Sequence, residues 1–87
     1  MSMVTDPTGY DLYLEFQYRI TGSFYTSLFE TIHKADRPNQ ARLAKAFPEE
    51  VDAVRIWTTQ GWEALLEKVN DKHPFKERMR KEYEPES

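Results

Sequence analysis

Few residues in this chain have side chains that can carry chemistry. It has two histidines, His33 and His73, and no cysteine. A nucleophilic enzyme needs a Ser, Thr or Cys activated by a nearby base, and a metal site needs three or four ligands. The His-x-x-Asp of His33 with Asp36 and the Asp-x-His of Asp71 with His73 each supply only two ligands. We therefore expect no metal site and no catalytic histidine.

Glycine-rich and paired-acid motifs are equally scarce. The three glycines form neither a phosphate-binding loop nor a Gly-x-Ser-x-Gly turn, and no His-Glu-x-x-His motif occurs. Glu49 and Glu50 are adjacent, but acids just after Pro48 are typical of the positively polarised N-terminus of a helix. The sequence predicts that the protein is not an enzyme, needs no cofactor and has no evident small-molecule substrate.

Aromatic residues are the more prominent resource, with five Tyr, five Phe and two Trp. Most of these rings are expected to fill the core of a small domain, because each buries a large area. Tyr13, on the polar side of its segment and near Arg19, is the best candidate for a partner surface, since Tyr, Trp and Arg dominate binding hot spots. Trp57 and Trp62 flank a break between helices and are interpreted first as core closure and second as interface. These four residues are the candidate binding residues.

Size and charge limit the remaining functions. With 87 residues and 10.3 kDa, the chain forms one domain, and its net charge of −3 gives no attraction to nucleic acid or anionic membranes. No apolar run approaches the roughly 18 residues of a membrane span, and no secretory signal is visible. Without cysteines, a cytoplasmic location is expected. Residues 1–9 and 84–87 have little apolar surface and are expected to fray.

Residues 10–20 are the segment whose structure the sequence leaves open. Its apolar residues alternate: Tyr10, Leu12, Leu14, Phe16, Tyr18 and Ile20. A period of two favours a strand, although Leu12, Phe16 and Ile20 also fit a helix. A strand needs a hydrogen-bonding partner, which the rest of this chain does not offer. The segment is therefore helical, an extended arm across the helices, or one strand of a two-stranded ribbon shared with a second copy of the chain.

The rest of the sequence has helical periodicity. Ser23 and Asp36 are predicted N-caps, while Pro48 and Pro74 suit first helical turns. The predicted helices span residues 23–35, 38–47, 48–58, 61–70 and, more weakly, 74–83. The fold class is therefore mainly α, a small single domain of four or five short helices over residues 1–87.

Two DNA-binding arrangements follow this order of elements. In a ribbon-helix-helix protein, residues 10–20 would form the ribbon, but Asp11 and Glu15 on its outer face would repel phosphates. In a helix-turn-helix protein, residues 40–47 would be the first helix, and the second would open with the acids Glu49, Glu50 and Asp52. A basic surface is expected of either type, and the sequence has none. A DNA-binding regulator is kept as the alternative function.

Part of the chain resembles a group of short proteins encoded by phages and mobile elements. The similarity covers about residues 18–65 and is carried by Gly22-Ser23-Phe24-Tyr25-Thr26-Ser27-Leu28-Phe29, Lys34-Ala35-Asp36 and Ala41-Arg42-Leu43-Ala44-Lys45-Ala46-Phe47-Pro48-Glu49-Glu50-Val51. No activity or site is established for that group. The resemblance implies a small accessory protein of the host cytoplasm that acts on a protein partner. Together with the composition, it predicts a protein–protein interaction module that binds another protein or itself.

Overall fold

Six α-helices make up the fold in the computed structural model, which describes residues 2–84. They are α1 (Gly9–Gln17), α2 (Ser23–Lys34), α3 (Arg37–Ala46), α4 (Pro48–Thr59), α5 (Trp62–Lys68) and α6 (Pro74–Tyr83). The mainly helical class is confirmed, with six helices instead of four or five. The described residues contain no strand. Residues 85–87 of the expected frayed C-terminus lie outside the described residues.

Residues 10–20 are helical as far as Gln17, so the structure does not have the extended alternative with its shared ribbon. The helix starts with a capping box, in which the Thr8 hydroxyl accepts from the Asp11 N–H and the Asp11 carboxylate accepts from the Thr8 N–H. Residues 11–15 are all buried, because α1 is surrounded by other elements. The alternation of polar and apolar residues predicts a strand with one exposed and one buried face. In the structure, polar and apolar residues of this part of α1 are buried alike.

The end of α1 has the hydrogen bonds of a Schellman motif. The Arg19 N–H donates to the Phe16 carbonyl and the Ile20 N–H donates to the Glu15 carbonyl. Arg19 has a φ of 59°, in the left-handed region that glycine adopts most easily. This turn stops the helix before Ile20 and directs the chain into α2.

α4 is the central helix of the fold. It contacts α1, α2, α3 and α5 and buries Val51, Ala53, Val54 and Ile56. α1 approaches α4 very closely at Gly9, where a Cβ atom would lie 2.7 Å from the Glu50 backbone nitrogen. Only glycine allows that approach without a shift of the backbone.

The predicted helices after residue 22 agree with the observed ones to within one or two residues at each end. Asp36 is confirmed as an N-cap, because its carboxylate accepts from the Asn39 N–H. The N-cap prediction for Ser23 is wrong. Gly22 occupies that position without a side-chain hydrogen bond, and Ser23 is the first residue of α2.

No helix among residues 2–84 has the length and apolar character required to cross a membrane.

Candidate functional site

Tyr13, the first candidate from the sequence, lies in the core with none of its surface exposed. Its ring meets Phe29 at 5.0 Å and Trp57 at 5.9 Å between centroids, in edge-to-face geometry. The ring therefore offers no surface to a partner, and the structure does not bring it together with Arg19.

The Tyr13 hydroxyl lies in a short chain of hydrogen bonds. Gln17 Nε2 donates to it at 2.8 Å, and the hydroxyl lies 2.8 Å from His33 Nε2. Since the hydroxyl oxygen accepts from Gln17, its own proton is available to His33 Nε2, which must then be unprotonated. Burial raises the pKa of Tyr13 to about 12 and lowers the pKa of His33. Both pKa shifts favour the neutral forms of Tyr13 and His33, so this pair contains neither a phenolate nucleophile nor an imidazolium acid.

The other three candidates occupy separate places. Arg19 is exposed at the end of α1 and borders a shallow groove with Phe16 and Glu30. Trp57 and Trp62 are half-buried. The centroid of the Tyr83 ring lies 6.0 Å from that of Trp57 and 6.1 Å from that of Trp62. The end of α6 thus closes over the junction of α4 and α5, which fits the core-closure interpretation of the two tryptophans. Their role in an interface stays a prediction.

The most exposed aromatic residue is not among the four candidate binding residues predicted from the sequence. Phe24, in the first turn of α2, has 61% of its surface exposed. Its ring lies 5.1 Å from Tyr25 and 6.1 Å from Phe47 between centroids. We call Phe24, Tyr25 and Phe47 the aromatic surface. One signal could have revealed it, because the remaining apolar residues of α2 already form a complete i, i+3, i+4, i+7 stripe without Phe24: Tyr25, Leu28, Phe29 and Ile32.

The aromatic surface is formed where the start of α2 meets the end of α3. The two helices run antiparallel, because Phe24 contacts Phe47 at one end and Gln40 Nε2 donates to the Ile32 carbonyl at the other. No residue of α3 is fully buried, although Leu43 and Ala44 pack partly against the core. α3 therefore lies at the outside of the fold, whereas α2 buries Leu28, Phe29 and Ile32 in the core.

The charge of α3 has one sign. Arg37, Arg42 and Lys45 are exposed, and α3 contains no acid. Among residues 2–84, no carboxylate lies within 4.0 Å of these cations; the Lys and Arg ion pairs found there are Lys76–Asp71, Arg78–Glu82 and Arg80–Glu77. α3 thus exposes three cations that have no ion pair among the described residues.

The acids that follow Phe47 in the sequence are directed to α1. Glu49 Oε1 accepts from the Gly9 N–H at 2.9 Å, and Asp52 accepts from the Tyr10 hydroxyl at 2.6 Å. Burial, the hydrogen bond to Asp52 and the nearby carboxylates raise the pKa of Tyr10. These bonds fix the start of α1 on the start of α4.

A second unusual group is buried. Asp11, Glu15 and His73, here called the polar cluster, have at most 3% of their surface exposed. Glu15 Oε2 accepts from the Ser2 hydroxyl at 2.6 Å, from the Met3 N–H at 3.2 Å and from His73 Nε2 at 2.9 Å. These bonds attach the N-terminal segment to α1.

His73 uses both ring nitrogens. Its Nδ1 accepts from the Phe75 N–H at 3.1 Å and caps α6, so the proton resides on Nε2 and is donated to Glu15. Asp11 Oδ1 accepts from the Asn70 N–H at 2.7 Å and holds the turn between α5 and α6. Each of these bonds joins elements that are distant in the sequence.

The polar cluster has little capacity for catalysis. Among residues 2–84, no group of three or more His, Asp and Glu side chains is arranged to hold a metal ion. Both nitrogens of His73 and one oxygen of Glu15 are occupied by structural hydrogen bonds, while Glu15 Oε1 is buried without a partner among the described residues. The cluster is best understood as a support for α1, and the aromatic surface is the stronger candidate site.

Comparisons with models of known protein families, with curated proteins and with solved structures find no match to this chain. The functional argument therefore depends on the geometry of the site. For the DNA-binding alternative, residues 2–84 form no ribbon. α4, the second helix of the predicted helix-turn-helix, buries four residues in the core and exposes Glu49, Arg55, Thr58 and Thr59. A DNA-binding role stays a prediction.

Proposed function

We propose that this protein is a small protein-binding module and that it binds its partner through the aromatic surface. The observation that carries the proposal is the exposure of Phe24 beside the rings of Tyr25 and Phe47. The described residues offer no competing constellation of catalytic groups.

The energetics of a phenylalanine support a binding role. Full burial of such a side chain contributes about 1.5–3 kcal/mol, and most of that remains unrealised while Phe24 faces water. Clustered aromatic residues at a surface are typical anchors of protein interfaces, because each ring brings a large area and loses few degrees of freedom. A partner that covers Phe24 would gain this area from a ring that is already positioned by two neighbours.

We propose the cytoplasm of a host cell as the setting, with the protein acting as an accessory factor of a phage or mobile element. The segment that resembles such proteins, residues 18–65, contains the whole aromatic surface. The partner in this proposal is a different protein, and a second copy of the chain is the alternative occupant.

Site-directed photo-crosslinking tests the proposal. Phe24 is replaced by p-benzoyl-phenylalanine in cells that naturally carry the gene, and the matched control carries the same replacement at Tyr83, which is 44% exposed and lies outside the aromatic surface. We expect a protein adduct of one discrete mass from position 24 and none of that mass from position 83. No adduct from position 24, or the same adducts from both positions, would refute the proposal.

Self-association is measured separately by sedimentation velocity on the purified protein. A dimer that dissociates after Phe24→Ser, together with an adduct of twice the chain mass, would identify the partner as a second copy.

A further inference from the structure

We infer that a cleft beside the N-terminal segment binds a small primary alkylamine, whose ammonium group donates a hydrogen bond to Glu15 Oε1. The cleft has a volume of about 490 Å³ and lies where the N-terminal segment, α1 and the start of α2 meet. The residues that line it include Ser2, Asp6, Leu12, Glu15, Thr21 and Tyr25. The inference goes beyond the proposed function and does not depend on it.

Glu15 determines the chemistry of the cleft. It is one of the lining residues, although only 1% of its side-chain surface is exposed. Ser2, Met3 and His73 all donate to Oε2, whereas Oε1 is buried without a hydrogen-bond partner among the described residues. A buried polar atom without a partner costs free energy, and the cost is larger for a charged group. Oε1 is therefore the oxygen that remains for a donor held in the cleft.

The charge of the Glu15 carboxylate is not balanced by a cation. His73 Nδ1 accepts from the Phe75 N–H and Nε2 carries the proton, so the imidazole is neutral. No Lys or Arg among residues 2–84 forms an ion pair with Glu15. Among the described residues, the lining of the cleft adds a second carboxylate, that of Asp6, and no Lys, Arg or His. The group that fits this lining is a cation that can donate hydrogen bonds.

An alkylammonium ion fits the cleft better than a metal ion does. Among residues 2–84, no group of three or more His, Asp and Glu side chains is arranged to hold a metal ion. An ammonium group needs only acceptors, and an aromatic ring such as that of Tyr25 also attracts it. Leu12 offers an apolar contact to an alkyl chain. The volume lies within the range of small-molecule sites, roughly 300–1,000 Å³.

The test is a titration of the full chain with n-butylammonium chloride at pH 7, followed by ¹H–¹⁵N NMR spectra. Two compounds with the same number of heavy atoms are the references. Tetramethylammonium has the charge but no N–H donor, and butan-1-ol has a donor but no charge. We expect butylammonium to bind with a millimolar dissociation constant and both references to bind at least about tenfold more weakly. The shifted amide signals should belong to residues of the cleft, such as Glu15, Thr21, Gly22 and Tyr25.

Variants assign the binding to the carboxylates. Glu15→Gln can still accept from the three donors through its carbonyl oxygen, but it presents an N–H donor in place of Oε1. It should weaken butylammonium binding at least about tenfold. Glu67→Gln makes the same change in charge at an exposed residue of α5 and should change the affinity less than about twofold. Circular dichroism confirms that each variant folds.

Asp6→Asn is a second variant, which tests the cleft even if Glu15→Gln does not fold. Asp6 is exposed and has a φ of 49°, which asparagine also adopts readily. We expect butylammonium to bind about two- to fivefold more weakly to this variant. Amide shifts that are absent or lie outside the cleft, equal binding of tetramethylammonium, or unchanged affinity in either folded variant would each overturn the inference.

Discussion

Asp11 and Glu15 are acidic side chains without exposure to water, whereas Phe24 is an apolar side chain with 61% of its surface exposed. Both situations cost free energy in isolation, but only the first is compensated within the chain. Asp11 accepts from backbone N–H groups of Thr8 and Asn70, and Glu15 accepts from three donors. The polar cluster is therefore explained by the fold, whereas the described residues leave most of the Phe24 ring uncovered.

Between these two regions, we expect the larger loss of stability from substitutions in the polar cluster. His73→Leu removes a donor from the buried Glu15 carboxylate and the side-chain cap of α6 at once. A hydrogen bond to a carboxylate contributes about 1.5–3 kcal/mol and a helix N-cap about 1 kcal/mol, so the two losses together amount to about 2.5–4 kcal/mol. We expect a decrease of that size in the free energy of unfolding, measured by urea denaturation.

The matched variant for this prediction replaces both members, Glu15→Leu with His73→Leu. Because it also removes the Glu15 carboxylate that His73→Leu would leave without this donor, it should lose less stability than the sum of the two single variants. If His73→Leu alone changed the free energy of unfolding by less than about 1 kcal/mol, the structural role assigned to the cluster would be wrong.

A smaller loss of stability is expected from a substitution at the contact between α1 and α4. Gly9→Ala places a Cβ atom 2.6 Å from Glu49 Cβ and 2.7 Å from the Glu50 backbone nitrogen, so the two helices must separate. Overpacking of this kind costs about 1–3 kcal/mol. Gly22→Ala is the control, because no atom lies within 4 Å of its added Cβ, and it should change stability by less than about 0.5 kcal/mol. Equal effects of the two variants would contradict the close approach at Gly9.

The two regions also differ in how far the sequence could predict them. Helices α2 to α6 follow from local signals, such as the Asp36 cap and the stripe of Trp62, Leu65, Leu66 and Val69. The burial of Asp11 and Glu15 could not be predicted, because their partners Asn70 and His73 are 59 and 58 residues away in the sequence. Without that knowledge, the polar residues of α1 indicate an exposed face.

The same limit explains the candidate site. The sequence predicts Tyr13 at a surface because Tyr13 lies on the same side of the alternating segment as Asp11 and Glu15. Both of these acids are buried together with Tyr13 in the structure. Phe24 lies one residue before the stripe of Tyr25, Leu28, Phe29 and Ile32, and its place outside that stripe is the one sequence signal of its exposure. The sequence gives no such signal for the contact between Phe24 and Phe47, because that contact depends on how α2 and α3 lie relative to each other.

The stability of the fold should depend on pH through His33. Burial lowers its pKa in the folded protein below the ordinary value of 6.5. As the pH falls below 6.5, the unfolded chain takes up a proton more readily than the folded one, so this contribution to stability is lost toward acid and is complete above 6.5. We expect the midpoint of urea denaturation to decrease between pH 7 and pH 5.

His33→Gln serves as the reference for this measurement, because glutamine does not titrate and its carbonyl can still accept from the Tyr13 hydroxyl. The decrease of the midpoint toward acid should be smaller in the variant than in the wild-type protein. Identical pH dependence in both proteins would show that the Tyr13–His33 bond does not keep the imidazole neutral.

The smallest effect on stability is expected at the aromatic surface. Phe24→Ala removes a ring that is mostly exposed, so the free energy of unfolding should decrease by less than about 1 kcal/mol. Phe29→Ala, a few residues along the same helix but fully buried, should cost about 3–5 kcal/mol. A large loss from Phe24→Ala would mean that its contacts with Tyr25 and Phe47 belong to the core. A negligible loss would show that the ring contributes little to folding, as the proposed role of Phe24 in partner binding requires.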